Sequence, residues 1–137
     1  DISSYSLIAV SKYAQPFLAP NSGIVSMTYL GSERAIPNYN MMGIAKASLE
    51  AAIRYLAAEF SPKGIRVNGI SAGAIKTLAV TGVKDYQKLI QLSESRTPDQ
   101  QSVTIEEVGN ACAFLISPLS SGIIGDIIYV DKGVHLS

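Results

Sequence analysis

The sequence predicts an α/β fold built on a doubly wound parallel sheet. Short apolar runs typical of strands alternate along the chain with longer segments of helical periodicity, and no repeat or low-complexity linker interrupts them. The 137 residues are 47% hydrophobic and 16% charged, with no net charge. This balance suits one compact domain with an apolar core and gives no electrostatic reason to expect a nucleic-acid partner.

The first helix is expected between residues 4 and 17. Its buried face is predicted from the spacing of four apolar residues, Leu7, Val10, Ala14 and Phe17. A turn at residues 20–23 then leads into a strand over residues 23–29. The nearly continuous apolar run of this strand indicates that it is covered on both faces.

The second helix is expected after Pro37, with Asn38 as its candidate N-cap. It should end near Phe60, because Pro62 and Gly64 follow.

The remaining elements complete the alternation. Residues 65–70 read as a strand, and a weaker amphipathic pattern around residues 83–90 predicts a short helix. Thr104 and Glu107 match a capping box, so a helix should begin there and end near Ser117 and Pro118. Residues 127–130 are predicted to form the last strand.

The sequence contains no apolar stretch long enough to span a bilayer and no basic-then-apolar leader, so a soluble protein is expected. The single cysteine, Cys112, favours a reducing, cytoplasmic setting and a buried structural role. The single histidine, His135, has no partner at metal-ligand spacing, so we expect no metal site and a surface or subunit contact for His135.

Two tyrosines and one lysine form the candidate site. Tyr29 should follow a strand and Tyr39 should begin a helix, at the edge where doubly wound sheets bind ligands. Seven residues turn a helix by about 700°, so Tyr39 and Lys46 would share a face. A nearby ammonium favours the phenolate and can hold ribose hydroxyls. Spacing alone favours the plainer interpretation, in which the lysine stem merely covers apolar surface.

The segment YLGSERAIPNYNMMGIAKASLE, residues 29–50, closely resembles the active-site segment of bacterial enoyl-acyl-carrier-protein reductases, a divergent branch of the short-chain dehydrogenase/reductase superfamily. The resemblance extends over nearly the whole chain, through residues 3–6, 65–68, 71–73, 107–110 and 130–131. Most short-chain reductases carry lysine four residues after the tyrosine, whereas this chain has Gly43. That difference favours the enoyl-reductase branch over ketone and alcohol reductases.

The resemblance implies NAD(P)H-dependent reduction of the trans-2 double bond of an enoyl thioester in fatty-acid biosynthesis. Tyr39 would hydrogen-bond the thioester carbonyl and stabilise the enolate, and Lys46 would bind the nicotinamide ribose. Tyr29 would contact substrate or deliver a proton. Ser26, thirteen residues before Tyr39, has the spacing of the catalytic serine of ketone reductases, but we expect it to remain a strand residue.

The resemblance also implies a cofactor segment and an acyl-chain wall. The nicotinamide carboxamide and pyrophosphate would contact residues 75–79, namely Ile75, Lys76, Thr77, Leu78 and Ala79, and Gly73 would allow close backbone approach. Residues 80–92 resemble the mobile substrate loop. The acyl tail would lie against Met42, Val83 and Tyr86, although each of these could be a core residue instead.

Two departures from the family pattern bear on these expectations. Ala74 stands where proline is usual, and no glycine-rich phosphate-binding turn is present. Residues 1–137 are therefore expected to form a single domain, the C-terminal portion of a Rossmann-type fold whose N-terminal dinucleotide-binding part is absent from this chain.

NADH is the expected cofactor, with NADPH as a second candidate, and an enoyl-acyl carrier protein is the expected substrate. The family also implies a homotetramer with the tail Val134–Leu136 in a subunit interface. Two alternatives stay open: another short-chain reductase acting on an enoyl-coenzyme A or a carbonyl, and a non-enzymatic fragment or assembly subunit.

Overall fold

The structure is a computed structural model that describes residues 2–75 and 86–137, apart from the side chains of residues 86 and 89. Four longer helices and three strands alternate within these ranges: α1 (Ile2–Ala14), β1 (Gly23–Thr28), α2 (Met41–Phe60), β2 (Arg66–Ala72), α3 (Tyr86–Glu94), α4 (Ile105–Ile116) and β3 (Ile127–Val130). Each predicted helix and strand is present, with ends displaced by a few residues.

The three strands form one parallel sheet in the order β1-β2-β3. Gly23 pairs with Arg66 and Thr28 with Ser71, while Ala72 pairs with Val130. The predicted parallel α/β sheet is therefore confirmed. Because all strands run the same way, their carboxyl ends meet at one edge.

Helices cover both faces of this sheet. On one face, α2 supplies Leu49, Ile53 and Phe60 to a core cluster that also contains Val67 of β2. On the other face, α4 supplies Val108 and Leu115 to a second cluster with Ile70 and Ala72 of β2, and half-buried Cys112 packs against this cluster as predicted. This two-sided arrangement is the doubly wound architecture that the alternation predicts.

The buried face of α1 differs in part from the prediction. Val10 is 66% exposed and Phe17 is 88% exposed, whereas Ser4 and Ser11 are buried. The Ser48 hydroxyl of α2 donates to the Ser4 hydroxyl at 3.0 Å. Small serine side chains let α1 lie close to α2. Leu7 packs against the first core cluster and Ala14 is half-buried, so this part of the predicted face is confirmed, whereas Val10 and Phe17 do not belong to it.

The predicted double covering of β1 is confirmed, because Ile24 packs against the first core cluster and Val25 against the second. The covering is incomplete, however. Residues Gly23–Ser26 of β1 are half-buried and Met27 is 40% exposed, whereas all seven residues of β2 are buried. Among the strands described, β1 has a neighbour on one side only. The fully covered strand is therefore the central one.

Side chains form hydrogen bonds with free main-chain groups at both ends of α4. At the start, Thr104 Oγ1 accepts from Glu107 N–H at 3.1 Å and Glu107 Oε2 accepts from Thr104 N–H at 2.9 Å, which confirms the capping box. At the end, the buried Arg66 guanidinium donates to the carbonyl oxygens of Leu115 and Ser117 at 2.7 and 2.9 Å. This cation ties the helix end to β2.

No helix within residues 2–75 and 86–137 has the length and apolar character of a membrane-spanning segment. In the same part of the chain, His, Cys, Asp and Glu side chains form no group of three or more that could hold a metal ion.

Candidate active site

The candidate site lies at the carboxyl edge of the sheet. Thr28, Ala72 and Val130 end the three strands, so the residues that follow them, including Tyr29, Gly73 and Asp131, meet along this edge. In open parallel sheets, ligands bind beyond the carboxyl ends of the strands. The sheet thus places Tyr29 where the sequence predicts it.

Tyr39 lies in a turn rather than in the helix. The helix α2 begins at Met41, after a turn in which Asn38 and Asn40 have φ values of 65° and 45°. These left-handed values interrupt α-helical geometry and suit asparagine. Asn38 therefore does not cap the helix, and the prediction that Tyr39 begins it is wrong.

The turn brings the two tyrosines together. The Tyr29 and Tyr39 rings meet edge to face with centroids 5.0 Å apart. Burial, and next the neighbouring Tyr29, raise the pKa of the Tyr39 phenol above its usual value. With its pKa raised, this phenol stays protonated and can donate a hydrogen bond. The expected shift toward phenolate through a nearby lysine is therefore wrong in this structure.

Lys46 lies at the carboxyl end of β1. Its Nζ donates to the carbonyl oxygen of Met27 at 3.0 Å, and burial lowers the pKa of its ammonium. An ammonium has three N–H donors, and the Met27 carbonyl accepts from one of them. Lys46 is thus held against the strand that leads into Tyr29.

Two glycines allow the tyrosine turn to pack. A Cβ at Gly31 would overlap the Tyr39 ring, and a Cβ at Gly43 would lie 2.7 Å from the carbonyl oxygen of Gly31. Any side chain at position 43 would push this loop away from α2. The structure therefore gives a steric reason why the lysine common at this position in other short-chain reductases is absent here.

Glu50 is a site feature that sequence reasoning missed. Its carboxylate is buried and accepts from the Thr28 hydroxyl at 2.7 Å and from the Ser32 hydroxyl. The available signal was a charged residue beside Leu49 and Ile53 on the apolar side of α2. A buried carboxylate requires such partners.

The C-terminal tail contacts the same loop. Arg34 donates to the main-chain oxygens of His135, at 2.6 Å, and Ser137. The Tyr129 hydroxyl donates to Glu33 at 2.7 Å, which is the main reason why the pKa of Tyr129 is raised to about 12.

His135 is held within the same tail. Its ring stacks on Tyr129 with centroids 4.1 Å apart, and its Nδ1 lies 2.9 Å from both carboxylate oxygens of Asp131. These contacts hold the His135 ring against Tyr129 and Asp131 within the tail, which is a structural role.

The predicted cofactor and substrate residues are only partly described. Ile75 packs against the second core cluster, and the Met42 side chain is 48% exposed near the start of α2. A Cβ at Gly73 would lie 3.0 Å from the Cα of Asp131, so packing against the residue after β3 favours a glycine here. The other predicted contacts lie outside the described residues or side chains: Lys76, Thr77, Leu78, Ala79, Val83 and Tyr86.

Ser26 occupies the interior of β1, where it pairs in register with Gly69. It lines a hollow between α1 and β1 together with Ser11 and Val25. Its surroundings agree with the expected role as a strand residue.

Comparisons with known proteins agree with this geometry. Residues 1–135 match the family model described as enoyl-(acyl carrier protein) reductase. The chain is 75% identical over all of its length to enoyl-[acyl-carrier-protein] reductase [NADH] FabI of Enterococcus faecalis, covering 55% of that protein. It is 53% identical over its whole length to the FabI of Escherichia coli, covering 52% of that protein. The chain thus spans about half the length of the curated relatives it matches.

Solved structures give the same result. The chain is similar to an enoyl-[acyl-carrier-protein] reductase (NADH) from Aquifex aeolicus, with a TM-score of 0.94 and 41% identity, over 100% of this chain and 54% of that one. It is also similar to a Bacillus cereus enoyl-acyl carrier protein reductase solved with NADP+ and an indole naphthyridinone. For that pair the TM-score is 0.93 with 46% identity, over 98% of this chain and 52% of the other.

Proposed function

The chain belongs to the enoyl-(acyl carrier protein) reductase family, and from this premise we propose that the whole protein reduces the trans-2 double bond of an enoyl thioester. The observation that carries the proposal is the Tyr29–Tyr39 pair at the carboxyl edge of the sheet, where Lys46 also contacts the end of β1 through the Met27 carbonyl oxygen. We assign the acyl-carrier-protein thioester as substrate because the names of the relatives specify it.

Tyr39 supplies the hydrogen bond on which the reaction depends. A bound nicotinamide would provide the hydride that adds to the β-carbon of the substrate. As that hydride adds, negative charge develops on the thioester oxygen, and the protonated Tyr39 phenol donates a hydrogen bond to that oxygen. The resulting enolate is protonated at the α-carbon to give the saturated thioester. Tyr29, in edge contact with Tyr39, holds the ring and lines the substrate position.

Lys46 fits the nicotinamide ribose. Its contact with Met27 fixes the ammonium at the ligand-binding edge of the sheet, and its other two donors suit the vicinal ribose hydroxyls. We propose Ile75, Lys76, Thr77, Leu78 and Ala79 as further cofactor contacts, and Met42, Val83 and Tyr86 as the acyl-chain wall.

NADH is the proposed cofactor because the names of the Enterococcus and Escherichia relatives specify it. The Bacillus cereus structure contains NADP+, which makes NADPH the second candidate. The glycine-rich loop expected to hold the pyrophosphate is not in the present sequence, so we place it in another part of the whole protein.

We propose a homotetramer whose interface includes the tail Val134–Leu136. Leu136 is 73% exposed in the single chain although its neighbours are anchored by Arg34, which suits an interface contact. Sedimentation of the whole protein should give tetramers, and a purely monomeric species would reject this assembly. We also propose a cytoplasmic location, since the half-buried Cys112 thiol suits a reducing compartment.

Oxidation of the reduced cofactor tests the function. The whole protein should oxidise NADH when a trans-2-enoyl thioester is added, and faster with the acyl-carrier-protein thioester than with the coenzyme A thioester. Reduction of a β-ketoacyl thioester without enoyl reduction would reject the proposal.

A further inference from the structure

Glu50 connects the two ends of the segment that carries Tyr29. The Thr28 hydroxyl, at the end of β1, donates to Glu50 Oε1 at 2.7 Å, and the Ser32 hydroxyl donates to the same oxygen. Ser32 ends the short 3-10 turn Leu30–Ser32 that follows Tyr29. One carboxylate oxygen therefore fixes both ends of the loop.

The carboxylate is not needed for packing alone. Glu50 is only 3% exposed, and burial of a carboxylate costs free energy unless hydrogen bonds compensate for the lost water. Its other oxygen, Oε2, has a distant partner, Arg54 Nη2 at 3.6 Å, whose side chain is 56% exposed. An apolar residue would fill the same space beside Leu49 and Ile53, so the specific contribution of the acid is the pair of loop hydrogen bonds.

The loop held in this way determines where both tyrosines lie. Tyr29 is part of it, and the main chain of Gly31 packs directly under the Tyr39 ring. Loss of one of these hydroxyl contacts would let the segment shift. Such a shift would move Tyr29 and take the Gly31 main chain away from the Tyr39 ring.

We propose that Glu50 is a positioning residue for the Tyr29–Tyr39 pair, acting through the Thr28 and Ser32 hydroxyls. Its effect on turnover rests on the proposed reductase function, whereas its effect on the ring positions does not. A misplacement of about 1 Å in a catalytic group can cost about 100-fold in rate.

Kinetics of four variants of the whole protein test the effect on turnover. Glu50→Ala should lower kcat by about tenfold or more and leave the KM for NADH within about twofold, because the Lys46 ammonium is held by the Met27 carbonyl oxygen and not by Glu50. Glu50→Gln retains an acceptor oxygen and should restore most of kcat. Ser32→Ala should show a smaller loss of the same kind, and Arg54→Ala, the matched control that leaves both loop hydrogen bonds intact, should behave as wild type.

Fluorine NMR of protein labelled with fluorotyrosine tests the ring positions without catalysis. Resonances of Tyr29 and Tyr39, assigned with Tyr29→Phe and Tyr39→Phe, should shift in Glu50→Ala and Ser32→Ala but not in Arg54→Ala. If Glu50→Ala does not fold, the milder Ser32→Ala decides. An inactive wild type would reject the proposed function, yet the resonances would still test Glu50. Unshifted resonances, unchanged kcat in Glu50→Ala and Ser32→Ala, or failure of Glu50→Gln to restore kcat would overturn the positioning role.

Discussion

The Tyr29 and Tyr39 rings meet edge to face with their centroids 5.0 Å apart, although the two residues lie at opposite ends of the loop between β1 and α2. This contact depends on Gly31, whose missing side chain leaves room for the Tyr39 ring. It also helps to raise the pKa of Tyr39, after the larger effect of burial. The Tyr39 phenol is therefore a hydrogen-bond donor held at the carboxyl edge of the sheet, as the proposed oxyanion stabilisation requires.

Lys46→Ala should weaken cofactor binding by the whole protein by about tenfold, the cost of losing one charge-assisted hydrogen bond. Lys46→Arg should weaken it less, because the charge is retained. Titration of NADH fluorescence measures both affinities. The exposed Lys12 in α1 provides a control, since Lys12→Ala should bind as wild type. Unchanged affinity in both Lys46 variants would instead make Lys46 a lysine that only covers apolar surface.

Arg66→Met should lower the free energy of unfolding by about 3 kcal/mol, because it removes the buried charged donor and leaves the Leu115 and Ser117 carbonyl oxygens with only Ser120 as a donor. The Arg66 guanidinium donates hydrogen bonds to the Leu115 and Ser117 carbonyl oxygens and also to the Ser120 hydroxyl, at 2.6 Å. Chemical denaturation measures the change, with exposed Arg54→Met as the matched control. A loss for Arg66→Met no larger than that of the control would show that the helix end does not need this cation.

Tyr129 should make folding sensitive to alkaline pH. Its folded pKa of about 12 exceeds the ordinary value of 10.0, mainly because its hydroxyl donates to Glu33. A raised folded pKa means that the stabilisation is complete below the unfolded pKa and is lost as pH rises through the folded pKa. Stability should therefore decline between about pH 10 and 12 through this group.

Tyr129→Phe should remove this contribution, which makes the stability of the variant less dependent on pH in that interval. Denaturation at a series of pH values measures it, and Tyr55→Phe, at a site 81% exposed, is the control. Equal pH dependence in wild type and Tyr129→Phe would contradict the Glu33 hydrogen bond.

The alternation of strands and helices was predictable because it depends on local patterns. The Thr104 and Glu107 capping box, for instance, needs only residues three apart, and the structure confirms both hydrogen bonds. The buried face of α1 was predicted only in part, at Leu7 and Ala14. It depends on close approach to α2, which favours Ser4 and Ser11 over the more apolar Val10.

The candidate site also combines features that the sequence predicted with features that depend on tertiary contacts. The proposed chemistry of Tyr29, Tyr39 and Lys46 was predictable from residue type and from the family resemblance. The turn that brings Tyr39 to Tyr29 was not predictable. It depends on asparagines with positive φ values and on the missing side chain of Gly31, since a Cβ there would overlap the Tyr39 ring. The role of Glu50 depends on hydroxyls 18 and 22 residues away in sequence, so no local pattern could reveal it.

The most direct test of the proposed reductase site is the steady-state reduction of a trans-2-enoyl thioester by the whole protein and two single variants. Tyr39→Phe should lower kcat by about tenfold or more, the effect of removing one oxyanion donor. Ser26→Ala, which alters a strand residue lining the hollow under α1, should cost much less. If Ser26→Ala abolished turnover while Tyr39→Phe retained it, the site would work as a ketone-reductase site and the present assignment would be wrong.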